Sequence, residues 1–174
     1  MKALESYIRD IPGFPKDGII FKDITPLLKD GKKFREAVDA IADEFKGKKI
    51  DSILSVEARG FIFGSALAYK LGVGIIPIRK KGKLPFKTHA VTYDLEYGKD
   101  TLEIHQDAIG KGDNVLIVDD LLATGGTTRA VIDLVEKLGG KISGIAFLIE
   151  LTALKGREKL KGYPVISLIK DKYC

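Results

Sequence analysis

The chain has 174 residues, of which 45% are hydrophobic and 30% are charged, a composition typical of one soluble globular domain over residues 1–174. Its net charge of +5 is spread along the sequence, so the charge alone does not indicate a nucleic-acid partner. The single cysteine, Cys174, excludes an internal disulfide and a cysteine metal cluster. We expect a cytoplasmic protein without a membrane partner, because the sequence has no signal-like start and no apolar run of the ~20 residues that cross a bilayer.

Residues 1–28 stand outside the regular pattern that follows. A short amphipathic start is broken by the prolines and glycines of residues 12–18, and an apolar run follows at residues 19–21. We expect this segment to form a hood over one edge of the domain.

From residue 32 onward, helical and strand periodicities alternate. Helices are predicted over residues 32–46, 61–71, 127–138 and 154–160, and buried strands over residues 52–56, 75–78, 115–118, 142–151 and 165–169. Gly72 and Gly139 follow two of the helices, as glycine often does at a helix end. This order predicts an α/β fold with a central, mostly parallel sheet and helices on both faces. Ligands of such folds bind at the carboxyl ends of the strands.

Residues 79–106 interrupt this alternation. The segment begins with a basic cluster and has no periodicity until residue 91, where alternate positions become apolar on both sides of Gly98. We expect an inserted, flexible β-hairpin that covers the same edge of the sheet as the hood.

The most informative stretch is residues 115–128, which read VLIVDDLLATGGTT. Four apolar residues predict a strand buried on both faces, and Asp119 and Asp120 follow where that strand should end. The loop before the next helix consists of Ala123, Thr124, Gly125, Gly126 and Thr127. Its glycines let backbone N–H groups converge, its threonines add hydroxyl donors, and the helix N-terminus adds a positive dipole. Because two carboxylates also suit a vicinal diol, the stretch predicts a site for a ribose 5-phosphate.

A strand–turn–helix junction whose glycines only make a tight turn is the alternative explanation of this loop. The sequence lacks the fingerprints of nucleoside triphosphate and dinucleotide sites, G-x-x-x-x-G-K-[ST] and G-x-G-x-x-G. The pair of aspartates directly before the loop favours the ribose phosphate site.

This stretch resembles the phosphoribosyl-pyrophosphate (PRPP) binding motif of the type I phosphoribosyltransferases. Further segments are similar to the adenine phosphoribosyltransferases of that family, in the same order along nearly the whole chain. They read GIIFKDITPL at 18–27, EARGF at 57–61, RKKGKLP at 79–85, YDLEYGK at 93–99 and ELT at 150–152. The resemblance implies an enzyme of purine salvage that makes AMP and pyrophosphate from adenine and PRPP, with Mg²⁺, as a cytoplasmic homodimer.

The resemblance also implies which residues act at each part of the site. Asp119 and Asp120 would hold the ribose, and the loop 123–127 its phosphate. The residues that would contact pyrophosphate are Ala58, Arg59, Arg79, Lys80 and Lys83, the last three partly from the neighbouring subunit. No dedicated metal ligand is expected, because PRPP itself can supply most oxygen ligands of Mg²⁺.

Two residues are implied to be catalytic. Arg59 would make a forked contact to phosphate oxygens, and Glu96 would act as an acid or base on a mobile loop that closes over PRPP. Without the resemblance, Glu96 would be read as an exposed strand residue and the basic cluster as solvated surface.

Adenine recognition is implied for Ile20, Phe21, Lys22 and Leu151, with help from Glu150. Phe21 offers a face for stacking, and main-chain groups near Ile20 can read the edge of the base. Many members of the family carry arginine where this chain has Lys22, and lysine lacks the planar fork of a bidentate contact.

Two other functions remain open from the sequence. One is transfer to hypoxanthine, guanine, xanthine or orotate, because the motif around Asp119 does not distinguish these bases. The other is a non-catalytic regulator that senses PRPP and binds nucleic acid. Such regulators tend to carry an added DNA-binding domain or a strongly basic face, so we expect no nucleic-acid partner.

Overall fold

The structure is a computed structural model that describes residues 2–94 and 98–172. The described helices are α1 (Lys2–Glu5), α2 (Thr25–Lys29), α3 (Gly31–Glu44), α4 (Gly60–Leu71) and α5 (Gly126–Leu138). The described strands are β1 (Arg9–Pro12), β2 (Ile20–Asp23), β3 (Ser52–Val56), β4 (Gly74–Lys80), β5 (Thr88–Asp94), β6 (Lys99–His105), β7 (Asn114–Leu122), β8 (Lys141–Leu151) and β9 (Val165–Asp171). Two 3-10 helices, Thr152–Leu154 and Gly156–Leu160, lie between β8 and β9. No described helix is long and apolar enough to cross a membrane.

The main sheet has the strand order β5-β6-β4-β3-β7-β8-β9. Strands β4, β3, β7, β8 and β9 run parallel, and β6 is antiparallel to both β4 and β5. The predicted α/β fold with a mostly parallel sheet is therefore confirmed. Strands β1 and β2 form a separate antiparallel pair before it.

Helices cover both faces of this sheet. On one face, Ile41 of α3 and Leu67 of α4 share a buried cluster with Leu116 of β7. On the other face, Val131 of α5 is buried with Ile117 of β7. Because neighbouring residues of a strand point to opposite faces, the part of a central strand that helices cover on both sides is mostly apolar, as in residues 115–118 of β7.

Strand β7 extends to Leu122, so the strand end predicted at residue 118 is wrong. Pairing with β3 stops where Ser55 lies opposite Val118, whereas pairing with β8 continues to Leu122. Asp119 and Asp120 therefore lie in the strand itself, paired with β8 on one side and beyond the pairing with β3 on the other. Pairing with β8 fixes the backbone from which these two side chains project.

The ends of the other elements largely follow their local signals. Helix α4 ends before Gly72, whose φ of +70° is in the left-handed region, as predicted from the glycine. The helix predicted over residues 154–160 is instead two 3-10 helices joined at Lys155, whose φ is +53°. That residue stops a continuous α-helix because left-handed backbone cannot continue a right-handed helix.

The described part of the N-terminal segment, residues 2–28, is fastened to the main sheet by a buried cation. Lys22 of β2 is 2% exposed, and its Nζ lies 2.9 Å from Oδ1 of Asp10 and 2.6 Å from Oδ2 of Asp171 in β9. Burial lowers the pKa of Lys22, but the hydrogen bonds to Asp171 and Asp10 outweigh it and raise the pKa overall. The ammonium group therefore stays charged and holds β2 against the last strand.

Strands β5 and β6 pair antiparallel along their whole described lengths. They lie within residues 79–106, where the sequence predicts a hairpin. The tip of that predicted hairpin, residues 95–97, lies outside the described residues.

Candidate active site

A cavity of about 370 Å³ opens at the carboxyl ends of β3 and β7. Its walls come from the loop after β3, from the β5–β6 pair and from the segment that includes Asp119 and Asp120. The phosphate loop, residues 123–127, forms one end of the cavity. The two loops that the sequence predicts at one edge of the sheet thus meet around a single space.

Asp119 and Asp120 place two carboxylates in this cavity. Asp120 is 5% exposed, and its Oδ2 lies 2.9 Å from Nε of Arg59. Oδ1 of Asp119 accepts a hydrogen bond from the backbone N–H of Asp120 at 2.9 Å. Burial raises the pKa of both carboxyls; the charge of Asp120 raises the pKa of Asp119 further, and Arg59 opposes the rise at Asp120. Hydrogen-bond donors from a ligand would therefore stabilise the charged form of this pair.

Arg59 connects these carboxylates to the N-terminal segment. Its Nη1 donates to the carbonyl oxygen of Lys22 at 3.4 Å, and its guanidinium carbon lies 4.9 Å from the centre of the Phe21 ring. Phe14 packs edge-on against Phe21, with 5.1 Å between the ring centres. The predicted pyrophosphate residue Arg59 is thus adjacent to the predicted adenine residue Phe21, and in this structure its own anionic partner is Asp120.

The phosphate loop depends on a second segment for its shape. Gly125 has a φ of +77°, in the left-handed region, and a Cβ there would collide with the carbonyl oxygen of Gly156. A Cβ on Gly156 would in turn collide with the carbonyl oxygen of Ala123. Two glycine backbones therefore pack directly against each other, which the composition of the loop does not reveal.

Arg157 fixes the segment that supports the phosphate loop. Its Nε donates to Oε1 of Glu150 at 3.0 Å, its Nη2 to Oε2 at 2.5 Å, and its Nη1 to the carbonyl of Val165 at 2.8 Å. Ser167 Oγ also donates to Glu150, at 2.8 Å. Arg157 is the main cause of the lowered pKa of Glu150. The carboxylate of Glu150, which the sequence predicts to help bind adenine, is thus engaged with Arg157 and Ser167.

The basic residues at the end of β4 and in the loop after it are paired with acidic side chains. Glu57 accepts from Lys83 Nζ at 2.6 Å and from Nε and Nη2 of Arg79 at 3.2 Å, and these bonds lower its pKa to about 2. Lys80 Nζ lies 3.1 Å from Oδ2 of Asp100. Of these three cations, Lys80 lines the cavity, whereas Arg79 and Lys83 lie outside it. Ala58 and Arg59 also line it.

A residue that sequence reasoning missed is Tyr93 of β5. Its hydroxyl accepts a hydrogen bond from Oγ1 of Thr127 in the phosphate loop, at 3.3 Å. Tyr93 begins the motif YDLEYGK, but the sequence predicts it only as a strand position and assigns it no contact. Its place in the cavity depends on how the β5–β6 pair packs on α5, which no local pattern encodes.

Two of the predicted adenine-binding residues, Leu151 and Ile20, do not line the cavity. Leu151 is buried in an apolar cluster at the end of β8, and Ile20 is half-buried in β2. Glu96 lies outside the described residues. Within residues 2–94 and 98–172, no group of three His, Cys, Asp or Glu side chains is arranged to hold a metal ion.

Comparison with known proteins identifies the family. The model of the phosphoribosyl transferase domain matches residues 25–172. The adenine phosphoribosyltransferase of Clostridium perfringens is 62% identical over 167 residues, which are 96% of this chain and 97% of the relative. The chain belongs to the adenine phosphoribosyltransferases.

Solved adenine phosphoribosyltransferases have the same fold. The crystal structure from Thermoanaerobacter pseudethanolicus has a TM-score of 0.95 at 57% identity, covering 97% of this chain and 98% of that one. The Saccharomyces cerevisiae enzyme has a TM-score of 0.91 at 43% identity, and the match covers 96% of this chain and 97% of that one. That enzyme is complexed with D-2,5-dideoxy-2,5-imino-altritol 1,6-bisphosphate and adenine. The family that the sequence motifs predict is therefore confirmed.

The packing of Gly125 on Gly156 leads to a stability prediction for this adenine phosphoribosyltransferase. Gly125→Ala and Gly72→Ala both place a Cβ on left-handed backbone, which costs roughly 1–2 kcal/mol. At Gly72 nothing lies within 4 Å of the new Cβ, whereas at Gly125 it meets the Gly156 carbonyl. We expect Gly125→Ala to lower the free energy of unfolding by about 1–3 kcal/mol more than Gly72→Ala, measured by chemical denaturation. Equal losses would contradict direct packing of the two glycines.

Proposed function

We propose that this chain transfers the 5-phosphoribosyl group of PRPP to adenine and releases pyrophosphate, giving AMP. One observation carries the proposal: the carboxylates of Asp119 and Asp120 adjoin a phosphate-type loop, and Arg59 links Asp120 to the ring of Phe21. Groups suited to ribose and phosphate thereby line one cavity, and Arg59 connects that cavity to an aromatic ring suited to the base. The yeast relative, complexed with adenine and a bisphosphate, supports the same pair of ligand classes for this chain.

The charges around the cavity suit the transition state of this transfer. Breaking the bond from the anomeric carbon to pyrophosphate builds positive charge on the sugar and negative charge on the leaving group. Placement and charge stabilisation lower such a barrier. In the proposal, Asp119 and Asp120 hold the ribose diol, and the cations of Arg59 and Lys80 face the pyrophosphate, with the backbone of Ala58 beside it.

The 5-phosphate is assigned to the loop of residues 123–127. This loop leads into the first turn of α5, where unpaired N–H groups and the helix dipole favour an anion. Gly125, in its left-handed conformation, turns the backbone at that point. The hydroxyl of Thr124 adds one more donor from the same loop, whereas that of Thr127 donates to Tyr93.

We include Mg²⁺ as the cofactor that accompanies PRPP. The cavity offers carboxylate oxygens, which suit this hard cation, from Asp119 and Asp120. Since Arg59 already neutralises Asp120, Asp119 is the carboxylate that suits the ion better, and PRPP oxygens supply most of the other ligands. When bound, the ion neutralises part of the charge that develops on pyrophosphate.

We also propose that the chain is a homodimer in the cytoplasm. We assign the interface to three exposed apolar side chains of α4 and β4, Ile62, Tyr69 and Ile75, whose exposed fractions are 39%, 92% and 38%. This surface adjoins the first half of β4, which in the described sheet pairs with β3 and not with β6. A second copy seated there would cover this surface, and Arg79 and Lys83, which lie outside their own cavity, could then face the partner's pyrophosphate.

Sedimentation tests this surface. We expect the chain to sediment as a dimer and Tyr69→Glu to sediment as a monomer, because the substitution buries a charge at the interface. The side chain is exposed in the single chain, so the fold should be retained by circular dichroism. A dimer that persists unchanged in Tyr69→Glu would contradict the assigned surface.

The main chain of Ile20 is proposed to read the edge of the base. The N–H of Gly13 donates to the carbonyl of Ile19 at 2.8 Å, which makes them a hydrogen-bonded pair. Such pairs alternate in antiparallel ribbons, so the next pair, Pro12 and Ile20, is not hydrogen-bonded. The N–H and C=O of Ile20 therefore point away from β1. They match the accepting ring nitrogen and donating amino group of adenine.

A panel of purines with PRPP and Mg²⁺ tests the choice of base. Hypoxanthine reverses the donor and acceptor, so two polar groups of the site would face unsuitable partners, and such sites discriminate by ~10⁴ or more. We expect AMP from adenine and almost no IMP or GMP from hypoxanthine or guanine. Ile20→Val should keep this preference because the main chain makes the contact. Phe21→Ala should weaken the binding of every base because the stacking face is lost. Comparable rates with hypoxanthine would contradict the assigned base.

Glu96 is proposed as the acid or base of the transfer, on the strength of the motif YDLEYGK alone. A carboxylate could accept the proton that adenine loses as its ring nitrogen bonds to the sugar. We expect Glu96→Gln to slow single-turnover AMP formation by ~10²–10⁴-fold, with a much smaller effect on PRPP binding. Single-turnover rates equal to those of the unmodified enzyme would remove Glu96 from the mechanism.

A further inference from the structure

Tyr93 brings a phenol hydroxyl to the phosphate loop from the β5–β6 pair. Its ring packs beside the apolar cluster beneath α5, as does that of its strand neighbour Val91. The packing of the ring fixes the position of the hydroxyl, which lies 3.3 Å from Oγ1 of Thr127 in the first turn of α5. Two elements that are distant in sequence therefore present hydroxyls at the same point of the cavity wall.

The two hydroxyls have more hydrogen-bonding capacity than their mutual contact uses. Each can donate one proton and accept others. Thr127 donates to Tyr93, and among residues 2–94 and 98–172 the Tyr93 hydroxyl has no second hydrogen-bond partner. Its own proton is therefore left for an acceptor that is not part of the described chain.

The surroundings of Tyr93 indicate the chemistry of that acceptor. Burial raises the pKa of Tyr93, so the phenol stays protonated and acts as a neutral donor at physiological pH. It lies across the strand pair from Asp100, which is itself paired with Lys80. The adjacent N-terminus of α5 favours an anion at the same place. A neutral donor beside an anion-favouring helix end suits a phosphate oxygen.

We propose that Tyr93 is a further substrate-binding residue, whose hydroxyl donates to the 5-phosphate of PRPP beside Thr127 of the phosphate loop. This inference rests on the proposed function and extends its phosphate site to the β5 strand. The phosphate is then held by the backbone N–H groups at the N-terminus of α5 and by the hydroxyl of Tyr93, while the Thr127 hydroxyl donates to Tyr93 and orients it. Binding the phosphate also ties β5 to α5 more firmly than their present single hydrogen bond does.

Tyr93→Phe tests the proposal because it removes the hydroxyl and keeps the ring that packs on the core. The matched control is Tyr163→Phe, since the Tyr163 hydroxyl donates to Glu136 and does not line the cavity. Isothermal titration with ribose 5-phosphate measures phosphate affinity, and steady-state kinetics give the KM values of PRPP and adenine. We expect Tyr93→Phe to weaken ribose 5-phosphate binding about tenfold or more and to raise the KM of PRPP by a similar factor. This is the loss typical of a hydrogen bond to a charged group.

The adenine KM and the melting temperature separate this role from a structural one. In Tyr93→Phe, both should stay close to the values of the unmodified enzyme. The control Tyr163→Phe should match the unmodified enzyme in every measurement. Unchanged ribose 5-phosphate affinity in Tyr93→Phe overturns the proposal, and so does an equal loss for adenine and PRPP. If the unmodified chain makes no AMP, the proposed function fails, while ribose 5-phosphate binding still decides whether Tyr93 contacts a phosphate.

Discussion

The site depends on two adjacent carboxylates in a strand whose neighbour on one side has already ended. Burying a carboxylate is unfavourable unless a cation or hydrogen-bond donors accompany it. Asp120 has Arg59 at 2.9 Å, and Asp119 has the backbone N–H of the next residue. To reach Asp120, Arg59 lies across the N-terminal segment and against the ring of Phe21. The need to neutralise one buried carboxylate therefore also sets where the predicted base-binding segment lies.

The C-terminal part of the chain completes this arrangement. Strand β8 continues past the end of β3 and supports the carboxylates of β7 from the other side. After β8, Gly156 packs directly against the backbone of Gly125, and the forked pair of Arg157 and Glu150 holds that contact in place. The conformation of the phosphate loop is therefore a property of two segments. Substitutions at Arg157 would loosen the packing that shapes this loop.

Local patterns in the sequence predict the parallel sheet and the phosphate loop, because apolar runs and glycines act through nearest neighbours. The position of Asp119 within a strand could not be predicted, since it depends on unequal pairing of β7 with two other strands. The contacts of Tyr93 and Arg157 arise from elements far apart in the chain and leave no local periodicity. The pairing of Arg79 with Glu57 could not be predicted either, because a charge pattern does not show which acidic side chain a basic one will contact.

The most direct test of the account measures whether the carboxyl pair of β7 binds the ribose diol. The pKa values of Asp119 and Asp120, both raised by burial, can be followed by NMR titration of their carboxyl carbons. Ribose 5-phosphate and 2-deoxyribose 5-phosphate carry the same phosphate, but the second lacks one hydroxyl of the diol. Because hydroxyl donors stabilise the charged carboxylate, the account predicts lower pKa values with ribose 5-phosphate than with the deoxy sugar. Equal pKa values with the two sugars would contradict it.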